Sequence, residues 1–168
     1  PGTALLYSAL LKPLGERPLL PLAVPLAVCE AAESLSGVSC HVKWPNDVWL
    51  EGRKLAGVLI ESRPERGGGG WAVIGVALQH TVIRRGPPAD AFAALNAALA
   101  RWLEVPDDEM LAAFRERDAL SDKRISWDEG AASGTAAGID EAGHLLVDSD
   151  EGVLLTLGAG EVHLQVEH

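Results

Sequence analysis

The residue types best suited to chemistry are in two short segments, Lys43-Trp44-Pro45-Asn46-Asp47 and Arg53-Lys54-Leu55-Ala56-Gly57. Two apolar, strand-like stretches bracket a tight polar turn at Asn46-Asp47. The strand that follows opens with two cations and then narrows to Gly57. Positive charge beside a place where a ligand can touch backbone suits a carboxylate being converted to an acyl phosphate. That reaction brings two anions together, and fixed cations must screen both their repulsion and the charge that develops between them. Lys54 fits as a mobile point charge; the plainer reading is a solvated lysine guarding a strand edge. Asn46 and Asp47 can bond nearby backbone as an Asx-turn. Lys43 sits on an apolar strand, where ligand contact and a structural ion pair are both open. Trp44 reads as core.

The elements that must hold these residues follow from pattern. Residues 3–11 are apolar and stop abruptly at Lys12-Pro13, which predicts a buried strand. Residues 19–35 predict a helix, with Leu22, Leu26, Cys29, Ala32 and Leu35 near helical spacing, and Gly37 ends it. Pro25 would kink that helix or mark its true start. Four strands are then predicted, at 42–44, 48–50, 54–62 and 71–79, the second and third joined by a Glu51-Gly52 turn and the last two by a flexible loop at 66–70. That spacing suits an antiparallel meander. Phe92, Leu95, Leu99 and Trp102 predict the inward face of a helix over 89–103, and Met110, Leu111 and Phe114 that of another starting at Pro106. Past residue 120 the texture changes to short β-rich pieces (134–139, 144–147, 153–157, 162–166) punctuated by glycines and acidic turns, the pattern of a small barrel.

Composition bounds the rest. The 168 residues suffice for one ordinary domain and a small one. Residues 1–118 hold 12 Lys/Arg against 14 Asp/Glu, whereas residues 119–168 hold 2 against 10, so the acidity is concentrated in the second unit. A net charge of −10 argues against nucleic acid as main partner. No apolar run approaches the roughly 18 residues of a membrane span. Cys29 and Cys40 make no disulfide framework and no zinc spacing, which predicts buried packing and a reduced, cytoplasmic setting. Pro1-Gly2 leads straight into an apolar run and reads as the middle of a domain, with sequence expected before it.

The segments KWPND, RKLAGVLIE and WAVIGVALQ resemble the central sheet of biotin–protein ligases, and AAGIDEAGHLLVDSDEG with GEVHLQ is similar to the family's C-terminal domain. The opening PGTALLYSALL looks like the strand after the family's nucleotide loop. The resemblance implies an α+β fold: a mixed or antiparallel sheet with helices on one face, like class II aminoacyl-tRNA synthetases, over residues 1–119, then an SH3-like barrel over 120–168. It also implies ATP-dependent activation of biotin to biotinyl-AMP, with transfer to a lysine of a biotin carboxyl carrier domain. Lys54 would reach the biotin carboxylate and α-phosphate as the catalytic residue. Gly57, Val58 and Leu59 would line biotin, the glycine letting a flat ring approach the backbone, although a strand bulge would also explain it. Lys43, Asn46, Asp47, Gly75, Ala77 and Gln79 would lie along the nucleotide, with Asp47 near Mg²⁺. A homodimer through the sheet is compatible with the resemblance.

The chain departs from the family in three places. Where the family has Gly-x-Gly-x-Asn, this chain has Gly75-Val76-Ala77-Leu78-Gln79, which adds a methyl group and lengthens the amide. Leu-Tyr-x-Ser becomes Leu5-Leu6-Tyr7-Ser8, a one-residue move that could turn the ring away from the pocket because strand side chains alternate. The family's Arg/Gly-rich loop is absent from these residues; Arg63 and Arg66 beside Gly67 to Gly70 follow the wrong strand and read as a solvated hairpin. The chain by itself is therefore expected to show little adenylation. The competing readings are a non-catalytic module that holds biotin or a carrier domain, and a lipoate-type ligase. A repressor function would need a helix-turn-helix, which these residues lack.

Overall fold

The structure, a computed structural model, describes residues 4–65, 67, 69–79, 88–158, 160 and 162–165. Its first sheet is built from β1 (Ala4–Leu11), β2 (Cys40–Lys43), β3 (Asp47–Leu50), β4 (Arg53–Glu65) and β5 (Gly69–Gln79), in the order β1-β5-β4-β3-β2. Every ladder in it is antiparallel. The expected meander accounts for β2 to β5, and β1 closes the far edge against β5. Three helices, α1 (Leu20–Ser36), α2 (Pro88–Trp102) and α3 (Asp107–Arg117), complete this part. A second antiparallel sheet follows, made of β6 (Arg124–Trp127), β7 (Ala132–Ile139), β8 (Leu145–Ser149), β9 (Leu154–Leu157) and β10 (His163–Leu164), in the order β10-β6-β7-β8-β9. The fold is α+β, as expected.

Strand alternation divides the first sheet into two unlike faces. Tyr7, Val58, Ile74, Val76 and Leu78 are buried with the helices. The Tyr7 hydroxyl donates to Asn96 Oδ1 of α2 at 2.7 Å, and its ring lies 5.4 Å from that of Phe92. The other face stays open, with Leu6 80% and Leu59 64% exposed. Residues 3–11 are therefore not a buried strand: β1 is an edge strand whose alternate leucines, Leu6 and Leu10, face out. Ser8, exposed on the same face as Leu6 and Leu10, is the one polar mark of this phase in the strand.

Other expectations need correction. α1 starts at Leu20 and continues past Pro25, so Pro25 does not mark its start, and it ends where Gly37 takes a left-handed φ of 71° and donates to Glu33 O at 2.8 Å. Gly69 and Gly70 belong to β5, because the β4–β5 ladder continues to Pro64↔Gly70 and Glu65↔Gly69; Arg66 and Gly68 lie outside the described residues. Phe92 is 47% exposed, and Ala91, Leu95, Ala98, Leu99 and Trp102 form the buried stripe of α2 instead. β6 escaped the sequence pattern: Arg124-Ile125-Ser126-Trp127 is short and half polar, yet it sits inside the second sheet between β10 and β7. Val166 lies outside the described residues.

Cys29 and Cys40 are both buried, as expected. The hydrogen bond with Cys40, together with burial, pushes the Cys29 thiol far up, so it stays protonated packing. Among the described residues, no helix is long and apolar enough to cross a membrane.

Helices α1 and α2 are clasped by Glu30, which accepts from Arg101 Nε at 3.1 Å and from Trp102 Nε1 at 2.9 Å and pairs with the Arg101 guanidinium. The bond to Arg101 holds the Glu30 carboxyl below its usual range, against an opposing effect of burial. A carboxyl that titrates lower in the folded state stabilises it fully above the unfolded value. That contribution is lost as pH falls through the folded value. The stability difference between the wild type and Glu30→Gln, measured by urea midpoints, should therefore shrink as pH drops below about 4.5 and stay constant above it.

Candidate functional site

The open face of the first sheet is where the chemistry-bearing residues meet. The pairings Asp47↔Gly57, Gly57↔Ala77 and Ala77↔Leu6 put four residues in one row across β3, β4, β5 and β1. The next row is Leu59, Gly75 and Ser8. Together with Lys54 and Asn46 they line a hollow of about 530 Å³.

A bulge brings Lys54 to this row. Val48 pairs with Ala56 but Trp49 pairs with Lys54, so Leu55 is an extra residue on β4. In an unbroken strand Lys54 and Gly57, three apart, would face opposite ways. The bulge resets the alternation: Leu55 and Ala56 are both buried, and Lys54 emerges on the face of Gly57. Its Nζ lies 2.7 Å from Asp47 Oδ1, with side-chain exposures of 53% and 19%. A half-exposed pair contributes at most about 1 kcal/mol to stability, so folding alone gives little reason to hold the ammonium there. A Cβ built on Gly57 would lie 3.3 Å from both Cε and Nζ of Lys54 and 3.7 Å from Asp47 Oδ1. The missing side chain of Gly57 is the seat of the lysine. The bulge thus exists, but at Leu55 rather than at Gly57.

The remaining expected site residues divide. Leu59 and Gly75 line the hollow, and Ala77 adds its methyl beside Gly57. A Cβ on Gly75 would touch only Leu59, at 3.8–3.9 Å, so the floor there is open. Val58 presents backbone alone, because alternation buries its side chain among the helices. Asn46 is bound to that same residue: its Nδ2 donates to Val58 O at 2.7 Å and its own carbonyl accepts from Val58 N at 2.9 Å. It clamps β4 in place. Gln79 is not among the lining residues; it sits exposed opposite Ala4 at the end of β5. Leu6 and Ser8 were missed as lining residues. The Leu-Leu-Tyr-Ser order contained the signal: Tyr7 faces the helices, so its neighbours must face the hollow.

A second hollow of about 420 Å³ adjoins the first, bounded by Lys43, Trp44, the Pro45–Asp47 turn, Lys54, and Gly160 and Val162 of the second sheet's end. Lys43 is buried, with its Nζ 5.8 Å from the centroid of the Trp49 ring. No carboxylate pairs with it among the described residues. Trp44 is core, as expected. No group of three or more His, Cys, Asp or Glu fit to hold a metal occurs among the described residues. Asp47, expected near Mg²⁺, is paired with Lys54.

Residues 1–78 match the family model described as Biotin/lipoate A/B protein ligase family, and residues 125–164 match that described as Biotin protein ligase C terminal domain. The Bifunctional ligase/repressor BirA of Escherichia coli is 30% identical over 171 residues, covering 87% of this chain and 53% of the relative. BirA of Bacillus subtilis is 25% identical, covering 84% and 51%. The chain thus spans about half the length of these curated relatives. The fold matches the apo structure of biotin protein ligase from Aquifex aeolicus, with a TM-score of 0.81 and 21% identity over 97% of this chain and 83% of that one. The same enzyme's complex with biotin and ATP matches at a TM-score of 0.75, 22% identity, over 98% and 79%. With both family models met in one chain, and a fold and relatives that agree with them, the chain belongs to the biotin protein ligase family.

Proposed function

We propose that this chain carries the reaction surface of a biotin–protein ligase. Biotin and ATP would bind on the open face, and the observation that carries the reading is the Lys54 ammonium held over Gly57 by Asp47. A relative has been captured with biotin and ATP together. In the first step a biotin carboxylate oxygen bonds to the α-phosphorus, the bond to the bridging oxygen breaks, and pyrophosphate leaves. Lys54 lies between the two anions and stabilises the charge that builds on the phosphoryl oxygens. Leu6, Leu59 and Ala77 surround the bare backbone at Gly57 and Gly75, where a flat ring and an aliphatic chain lie against apolar surface. In the second step a carrier lysine attacks the acyl carbon, AMP leaves, and the amine loses a proton. Mg²⁺ would arrive with the nucleotide as part of the substrate, beside Asp47. Lys43 and the turn at Asn46 border the second hollow, on the side suited to the phosphates.

The partners in this reading are biotin, ATP and a biotin carboxyl carrier domain, in the cytoplasm. The catalytic part ends near residue 119 and the SH3-like part occupies 120–168. Biotin-dependent ATP–pyrophosphate exchange, assayed in the complete gene product, tests the proposal. Exchange that needs biotin and is lost on changing Lys54 supports it. Biotin binding by calorimetry with no exchange would leave a non-catalytic binding module, and exchange driven by lipoate but not biotin a lipoate-type ligase.

A further inference from the structure

The second sheet is tied to the corner that carries the chemistry by a part-buried hydrogen bond. Trp44 Nε1 donates to Gly143 O, 3.0 Å away, in the turn between β7 and β8. That turn is tightly made. The N–H groups of Ala142 and His144 both donate to Asp140 Oδ1 at 2.9 Å, and Gly143 N donates to Asp140 O at 3.1 Å. Gly143 has φ +80°, and a Cβ there would lie 3.1 Å from Leu22 Cδ1 of α1. The turn is therefore wedged between α1 and the indole, with no room for a side chain. Trp44 begins the corner that continues through Asn46, which grips Val58, to Asp47, which grips Lys54.

We propose that Trp44 is a positioning residue, and that the β7–β8 turn sets the Asp47–Lys54 geometry through it. This rests on the ligase reading for its consequence, but its geometry does not. An indole N–H seated on a main-chain carbonyl fixes the ring's angle as well as its depth. Trp44 is only three residues from Asp47, so a tilt of the ring moves the carboxylate. Misplacement by about 1 Å at a reacting centre costs up to about 100-fold in rate. The second sheet is thus part of the template for the site and not an appendage beside it.

The experiment uses the complete gene product and two variants that loosen the contact from opposite sides. Trp44→Phe keeps a buried ring and removes the donor. Asp140→Ala slackens the turn from its half-exposed side and leaves Trp44 intact. Asp150→Ala, an exposed carboxylate elsewhere in the second sheet that pairs with Arg124 and Ser133, is the control. The first readout needs no activity: the acylation rate of each lysine amine, by mass spectrometry, relative to Lys12. Lys54 should label at least threefold faster in Trp44→Phe and Asp140→Ala, because its amine is released from Asp47, and at the wild-type rate in Asp150→Ala. The second is steady-state kinetics: kcat for adenylation should fall fivefold or more in the same two variants with KM for ATP changed less, because Lys54 acts on the charge of the transition state. Unchanged Lys54 labelling in a folded Asp140→Ala protein overturns the proposal, and if Trp44→Phe does not fold that variant alone decides. Shifted labelling in a protein without exchange activity upholds the positioning role and rejects the ligase reading.

Discussion

Lys54→Met should lower kcat/KM for biotin adenylation by about 100- to 1,000-fold, the usual cost of removing one preorganised charge from a phosphoryl or acyl transition state. The ammonium is half exposed and its pairing with Asp47 adds little to stability, so the thermal midpoint should stay within a few degrees. That contrast is the diagnostic. A lysine that merely guarded a strand edge would give the same unchanged midpoint with unchanged turnover. Lys54→Arg should recover only part of the loss. The planar guanidinium is larger than the ammonium, and the seat over Gly57 leaves 3.3 Å between a Cβ and the lysine's last atoms. Stopped-flow measurement of adenylate formation, separate from transfer to the carrier lysine, would place the defect in the first step. A wild-type rate of adenylation in Lys54→Met would remove the mechanism proposed for this site.

Gly57→Val should also cost at least about 100-fold, without destabilising the fold. A valine Cβ would start within 3.3 Å of Lys54 Cε and Nζ, and its two methyl groups would occupy the seat itself. The lysine would be displaced from Asp47, and the bare backbone under the ligand would be covered. Glycine is a poor strand residue, whereas valine is a good one, a difference of about 1 kcal/mol on strand scales. Stability should therefore hold or rise as activity falls. Gly57→Ala should be mild, a few-fold, because the neighbour that must give way is the far end of a flexible side chain. Isothermal calorimetry with biotin, beside thermal melts, separates the two effects. If Gly57→Val were active and less stable, Gly57 would be serving the strand and not the site.

Much of this arrangement is written in local chemistry. KWPND marks a turn because Pro, Asn and Asp favour turns, and β3 does begin at Asp47, although the Asn46 and Asp47 side chains bond Val58 O and Lys54 Nζ. The run from Trp71 to Gln79 reads as a strand, and it became β5 with alternate residues buried. The stripe of Leu95, Leu99 and Trp102 placed α2 against the core. Such features depend on periodicity and turn propensity, which act over a few residues. The failures share a cause as well. The leucines of β1 were not assigned to faces because Ser8 is the one polar mark of phase in an otherwise apolar strand. β6 was missed because four half-polar residues carry too little pattern, and its place in the sheet comes from pairing on one side with its neighbour β7 and on the other with β10, which is distant in sequence.

Residue types, by themselves, determined that this chain has an ammonium, an acidic turn and a glycine near one another, in a family-like order. Only the tertiary structure decided that they share a face. Leu55 and Ala56 look like two ordinary apolar residues, and simple alternation sends Lys54 away from Gly57. The register with β3 absorbs Leu55 as a bulge because burying both apolar side chains outweighs keeping one ladder unbroken. That choice is made by the helices and the neighbouring strand, and it turns Lys54 toward Asp47.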